Sequence, residues 1–303
     1  MSEIQGNIVP RIFPGLRADP GGRRGQMVIV GLFFLLISVM LLSADKGVVE
    51  LTQSQIAAII LKIFGLHPSV EFTQLQESTL LDIRLPRVVL GALVGAALGI
   101  SGAAMQGLFR NPLADPSIVG ISSGAALAAT VVVVVGDIIS VSIPPGAQLL
   151  AFPIAAFVGA TATTLIIYRL STIGGRTVVA TLLLAGIAIN ALAQAISGFL
   201  IFFATDTQIR SLTFWKLGSM GGANWNSVLA ISPFILIPIV LFITISRPLN
   251  VLLLGEQEAG HLGFDIEKIK KLTIVLVALS VGASVAFTGL ITFVGLVVRM
   301  VCV

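Results

Sequence analysis

Few side chains in this sequence are of a type and spacing that could do chemistry. His67 and His261 are the only histidines, and an imidazole can ligate a haem iron or carry a proton. Both fall outside the apolar runs, so neither is read as an axial ligand, and no metal site is expected. Asn190 and Gln194 stand one helical turn apart inside an apolar run. An amide in hydrocarbon needs a partner, which fits either a polar pathway or a bond to a neighbouring helix. Arg84 and Arg87 flank Pro86 at a span end, where arginine stems commonly snorkel to the headgroups. No G-x-x-x-x-G-K-[ST], H-E-x-x-H, C-x-x-C or G-x-S-x-G occurs, and the single Cys302 excludes an internal disulfide. Nothing supplies a nucleophile with a positioned base, so the chain is not read as an enzyme.

The elements that carry these residues are set by composition. The 303 residues are 56% hydrophobic and 11% charged, with a mean hydropathy of +1.05. Soluble domains carry about a quarter charged residues, so the bilayer is the natural solvent. The pI near 9.6 comes from basic residues scattered singly at span ends, which marks membrane topology and excludes a nucleic-acid surface. A helix needs about 20 apolar residues to cross the hydrocarbon. Such runs are expected at Met27–Ser43, Val88–Phe109, Pro116–Val135, Leu149–Leu170, Val178–Ala204, Val228–Ile245 and Leu272–Thr288, with an incomplete eighth at Gly289–Val303. The fold class is all-α, polytopic, with about eight transmembrane helices. Residues 1–26 form a cytoplasmic tail and 27–303 a single membrane domain; the run after Arg23-Arg24 is read as a retained first helix in preference to an export signal. With the N-terminus inside, twelve of the 18 Lys and Arg residues fall on the cytoplasmic side, which supports that orientation.

The stretch Arg110-Asn111-Pro112-Leu113-Ala114-Asp115-Pro116 interrupts two apolar runs. Pro112 cannot continue the preceding helix, while Asp115 can cap the next with Pro116 in its first turn. A plain inter-helix loop and a polar segment lining a closed exit both fit. Gly91, Gly95, Gly99 and Gly102, then Gly120, Gly124 and Ala128, have the small-residue spacing that lets membrane helices pack closely. Every Asp and Glu is expected in a loop or at a span end, against a secondary transporter coupled through buried carboxylates.

The stretch Ile83–Ala129, with "LLLAGIAINALAQAISG", "LTFWKLGSMGGANW", "SRPLNVLLLGEQEAGHLGF" and "GLITFVGLVV", resembles the permease subunits of type II ABC importers for iron–siderophores, haem and cobalamin (FecCD-like). Within that family "DTQIRSLTFWKLGSMGGANWNSV" is most similar to haem permeases. The resemblance implies an inner-membrane homodimer with two ATPase subunits below and a periplasmic binding protein above. Haem or a related iron chelate would be the cargo, with no permanently bound cofactor and ATP held by the partner subunit. It places a cytoplasmic gate at Asn111, Pro112 and Leu113. A second gate region falls at Val178–Thr181, including Val179 and Ala180, more apolar than the family's small polar pattern. The segment 247–271 resembles the ATPase coupling loop through Gly255, Glu258, Ala259 and Gly263; without the resemblance it would be an ordinary solvated loop. Arg84 and Arg87 become docking residues for the binding protein, since a guanidinium fork suits a carboxylate. Family members usually carry about ten spans, so a C-terminally shortened chain is expected.

Overall fold

A computed structural model describes residues 23–66, 70–139, 145–292 and 294–295. Most of the N-terminal tail, His67, Arg299, Cys302 and most of the expected eighth span lie outside the described residues. The helices among those described are α1 Arg23–Asp45, α2 Gln53–Ile63, α3 Gln74–Ser78, α4 Leu85–Phe109, α5 Ile121–Ile139, α6 Pro145–Leu170, α7 Val179–Phe202, α8 Asp206–Lys216, α9 Trp225–Leu252, α10 Glu256–His261 and α11 Ile266–Thr288. A two-residue hairpin, β1 Thr172–Ile173 and β2 Arg176–Thr177, pairs antiparallel between α6 and α7. Among the described residues six helices are long and apolar enough to cross a membrane: α1, the continuous helix Gln74–Phe109, α6, α7, α9 and α11. Helices satisfy every backbone group internally, which hydrocarbon demands. The chain is an all-α polytopic membrane protein.

The described residues up to Val88 form one compact unit. Ala44, Leu51, Ile56, Ile59 and Leu80 make its small core. Thr52 with Gln55 and Thr73 with Gln76 cap α2 and α3 by reciprocal bonds. The same glutamines also reach out, Gln55 Nε2 donating to the Glu71 carbonyl at 3.3 Å and Gln76 Nε2 to the Glu50 carbonyl at 3.1 Å. A π-helical stretch, Thr79–Arg84, joins α3 to α4 and turns Leu80 and Arg84 inward.

The described residues from Val89 onward form the second unit. α11 is its most buried helix, packed against α6 and α9, while α5 runs along α6 and α7 lies against α5. Ser101 of α4 and Ser280 of α11 bond across their buried contact at 2.9 Å. The small residues act unevenly. Gly124 and Ala128 meet Gly159, so α5 and α6 touch backbone to backbone, and a Cβ on Gly102 would lie 2.6 Å from Gly295 Cα. Gly95 faces open space instead.

Several expected boundaries move. The expected third span, Pro116–Val135, begins with a separate 3₁₀ turn, Pro116–Val119, closed by Gly120 at φ 85° before α5 starts. The helix that carries the second expected span reaches back to Gln74, so Arg84 and Arg87 stand on its N-terminal part and not in a loop. α9 continues through Pro248 to Leu252 and holds Pro233 and Pro238 as well. In a membrane bundle such prolines are tolerated because neighbouring groups satisfy the freed carbonyls. With α11 starting at Ile266, the expected coupling loop 247–271 shrinks to a short connection carrying α10. α2, α3 and α8 were not expected; they are too short to register as spans.

Candidate functional site

The broken stretch is a tightly bonded turn. At the end of α4 the Asn111 N–H donates to the Gln106 carbonyl at 3.2 Å and the Arg110 N–H to the Gly107 carbonyl at 3.3 Å. That pair is a Schellman closure, which needs a left-handed residue. Arg110 takes that role at φ 50°, the one non-glycine with positive φ among the described residues. Because Pro112 has no N–H, the next free donor is that of Leu113, and Asn111 Oδ1 accepts it at 2.9 Å. Asp115 then caps the 3₁₀ turn by accepting from the Ser117 N–H at 2.8 Å, as its position before Pro116 implies.

The fold brings this turn opposite the second sequence-predicted segment. Phe109, Arg110, Asn111 and Ala114 line one wall of a cleft of about 540 Å³, and Val179, Ala180 and Leu183 line the other. Pro112 and Leu113 are exposed beside it. The second wall is the first turn of α7. A Cβ on Gly186, two turns further along, would collide with the Ile118 carbonyl, so α7 rests directly on the 3₁₀ turn. Asn190, one turn beyond, holds the same contact: its Oδ1 accepts from the Ser123 hydroxyl and its Nδ2 donates to the Ser117 carbonyl at 3.4 Å. Gln194 is exposed on α7, on the helical face that carries Ala180, Leu184 and Ile187.

α10 is the short helix inside the expected coupling loop. Gly255 caps it at φ 125°, and Gly263, at φ 84°, follows its end. Ala259 is buried, whereas Glu258 and His261 are exposed on its outer side. Arg110 Nη1 lies 3.9 Å from where a Cβ on Gly255 would stand, so the first cleft wall reaches the start of α10. Asp265 caps α11 through the Lys268 N–H at 3.1 Å. Its bond to the Lys268 side chain holds that carboxyl below the ordinary aspartate range.

The most buried charge was not singled out from sequence. Lys270 is 1% exposed, and all three of its ammonium protons have acceptors. They are the Thr177 carbonyl at 2.6 Å, Glu256 Oε2 at 2.8 Å and Glu267 Oε1 at 3.3 Å. Glu267 Oε2 in turn accepts the Thr177 N–H at 2.8 Å. The spacing Glu267-x-x-Lys270 signals a helical pair; the long-range partners have no local signal.

Arg84 departs from the docking expectation. Its guanidinium is turned inward, 6% exposed, donating to the carbonyls of Ala44 at 2.7 Å, Asp45 at 2.9 Å and Val49. Two carbonyls at the end of α1 and one in the segment after it consume the fork that a partner's carboxylate would need. Arg87 is exposed. Among the described residues no cluster of His, Cys, Asp and Glu could hold a metal ion.

Known proteins share this architecture. The chain is 46% identical over 218 residues to the hemin transport system permease protein HmuU of Yersinia pestis, covering 72% of this chain and 64% of that protein. It is 41% identical over 216 residues to the cobalamin import system permease protein BtuC of Halobacterium salinarum, covering 71% of this chain and 56% of that one. The matched segment thus spans less than two thirds of either relative. A solved metal-chelate type ABC transporter in an inward-facing conformation superposes with a TM-score of 0.75 at 27% identity, over 90% of this chain and 79% of that one. Residues 30–302 match the model of the FecCD transport family, and the chain belongs to that family.

Proposed function

We propose that this chain is the membrane-spanning permease subunit of an ATP-driven ABC importer. Its cargo is haem or a related iron chelate, moved from periplasm to cytoplasm across the bacterial inner membrane. The observation that carries this reading is the cleft itself: Asn111 and Val179–Ala180, far apart in sequence, face one another within reach of α10. A segment that can open and close beside a helix that a motor subunit can grip is what vectorial transport requires. Two copies of the chain would enclose the path, with two ATPase subunits against the exposed side of α10 and the N-terminus cytoplasmic. A periplasmic binding protein would deliver cargo, contacting Arg87. Gln194, and Asn190 behind it, would supply the few polar groups along an otherwise apolar wall. α5 and the segment after Gly289 would raise the six long spans to eight.

The hemin permease relative supports haem as cargo, and the archaeal relative makes cobalamin the second reading. Purified chain is reconstituted with its ATPase and binding protein in liposomes and offered haem, a ferric siderophore or cobalamin. ATP-dependent haem accumulation, with a Soret band on the co-purified binding protein, supports the proposal. Accumulation without ATP contradicts an ABC importer, and ATP-driven uptake of cobalamin alone transfers the cargo assignment.

A further inference from the structure

A buried ammonium joins the helix proposed to meet the ATPase to one wall of the cleft. Glu256 is the first residue of α10, and Thr177 ends β2 just before the α7 turn that carries Val179 and Ala180. Lys270, its own side chain 1% exposed, bonds to both and to Glu267 of its own helix. Thr177 is held at both ends of its peptide groups, its N–H by Glu267 and its carbonyl by Lys270. Val178, next in sequence, caps α7 with no side-chain bond of its own. The first turn of α7 is therefore located by the Thr177 anchor. Lys270 and Thr177 pack here with Leu108, Phe109 and Val179, leaving no space for a water.

We infer that Lys270 is a positioning residue that ties displacement of α10 to displacement of the Val179–Ala180 wall, through Glu256 on one side and Thr177 on the other. The inference rests on the permease reading above. A buried ion pair is by itself weak evidence of anything but local order. Its arrangement here is directional, however: the bonds to Glu256 and to the Thr177 carbonyl leave one nitrogen for two separate elements. Glu256, 40% exposed at its side chain, lies at the solvent end of that link. Movement of α10 must therefore pull on the ammonium or break the bond. Arg110 beside Gly255 gives the opposite wall its own contact with α10.

The test uses the assembled transporter in liposomes, with Cys302→Ser and Ala180→Cys as background, and reads the maleimide labelling rate of position 180 with and without ATP. Lys270→Met risks misfolding by leaving two carboxylates and a carbonyl around an apolar stem. Glu256→Ala cuts only the α10 end of the link and Glu267→Gln only loosens the Thr177 end. Either variant is expected to shrink the ATP-dependent change in labelling about tenfold, in the range of ordinary coupling between sites, while ATP hydrolysis continues. A merely structural link would lower thermal stability and leave the labelling ratio as in the parent, and that result overturns the inference. If the parent itself shows no ATP-dependent change, the permease reading fails and the inference falls with it.

Discussion

Gly186 of α7 lies directly against the carbonyl oxygen of Ile118, in the 3₁₀ turn that follows the Asn111–Leu113 segment. That contact sets the distance between the two walls of the cleft, because both walls lie within a few residues of it. Any side chain at 186 must push α7 off the turn. Gly186→Val should therefore cost about 1–3 kcal/mol by overpacking, read as a lowered unfolding midpoint in detergent. Gly198, on the same helix, faces open space. Gly198→Ala should be neutral or stabilising by up to about 1 kcal/mol, the ordinary helix-propensity gain. Equal effects of the two changes would show that the close approach at 186 is not there.

Arg110 holds a left-handed backbone that glycine adopts without strain. Arg110→Gly should stabilise the turn by about 1 kcal/mol, measured by thermal unfolding. The same change removes the guanidinium beside Gly255, so cargo uptake should fall although the protein becomes more stable. Loss of stability in this variant would contradict the Schellman geometry.

The acceptor at position 111 matters more than its amide. Asn111→Asp keeps an oxygen for the Leu113 N–H and should preserve stability, whereas Asn111→Ala removes it. The alanine variant should lose about 1 kcal/mol, a typical net hydrogen-bond contribution. Stability is compared by denaturation of the purified proteins in one detergent.

Arg84 and Arg87 should separate by experiment. Arg84→Met strips the partners from three carbonyls in a buried setting, and should destabilise by about 3 kcal/mol or more. Arg87→Glu, a change at an exposed side chain, should lower the unfolding midpoint less than Arg84→Met does and weaken capture of the periplasmic binding protein, measured by co-purification. A stable Arg84→Met protein that fails only in capture would restore Arg84 as a docking residue.

How much of this was legible depended on sequence distance. The Asp115-Pro116 cap and the break at Pro112 are local rules, and the structure shows them as the sequence implies. Spans were legible because hydropathy is a window property. α2, partly buried, and α8, mostly exposed, are too short for such a window. The run expected to end at Ile245 continues to Leu252 because Pro248 is absorbed inside α9. Arg84 looked like a surface residue from its neighbours, yet its partners lie about forty positions away at Ala44, Asp45 and Val49. Lys270 is the extreme case, gathering Thr177, Glu256 and Glu267. Only the Glu267 pairing has a local signal; no periodicity encodes the meeting with Thr177 and Glu256.

The cleft between Asn111 and Ala180 is tested most directly by Asn111→Cys in the reconstituted transporter, on a Cys302→Ser background, using a membrane-impermeant maleimide applied from either side. The account predicts labelling from the ATPase side, at a rate that changes between the ATP-bound and nucleotide-free states. Labelling from the binding-protein side only, or at one unchanging rate in every nucleotide state, would contradict it.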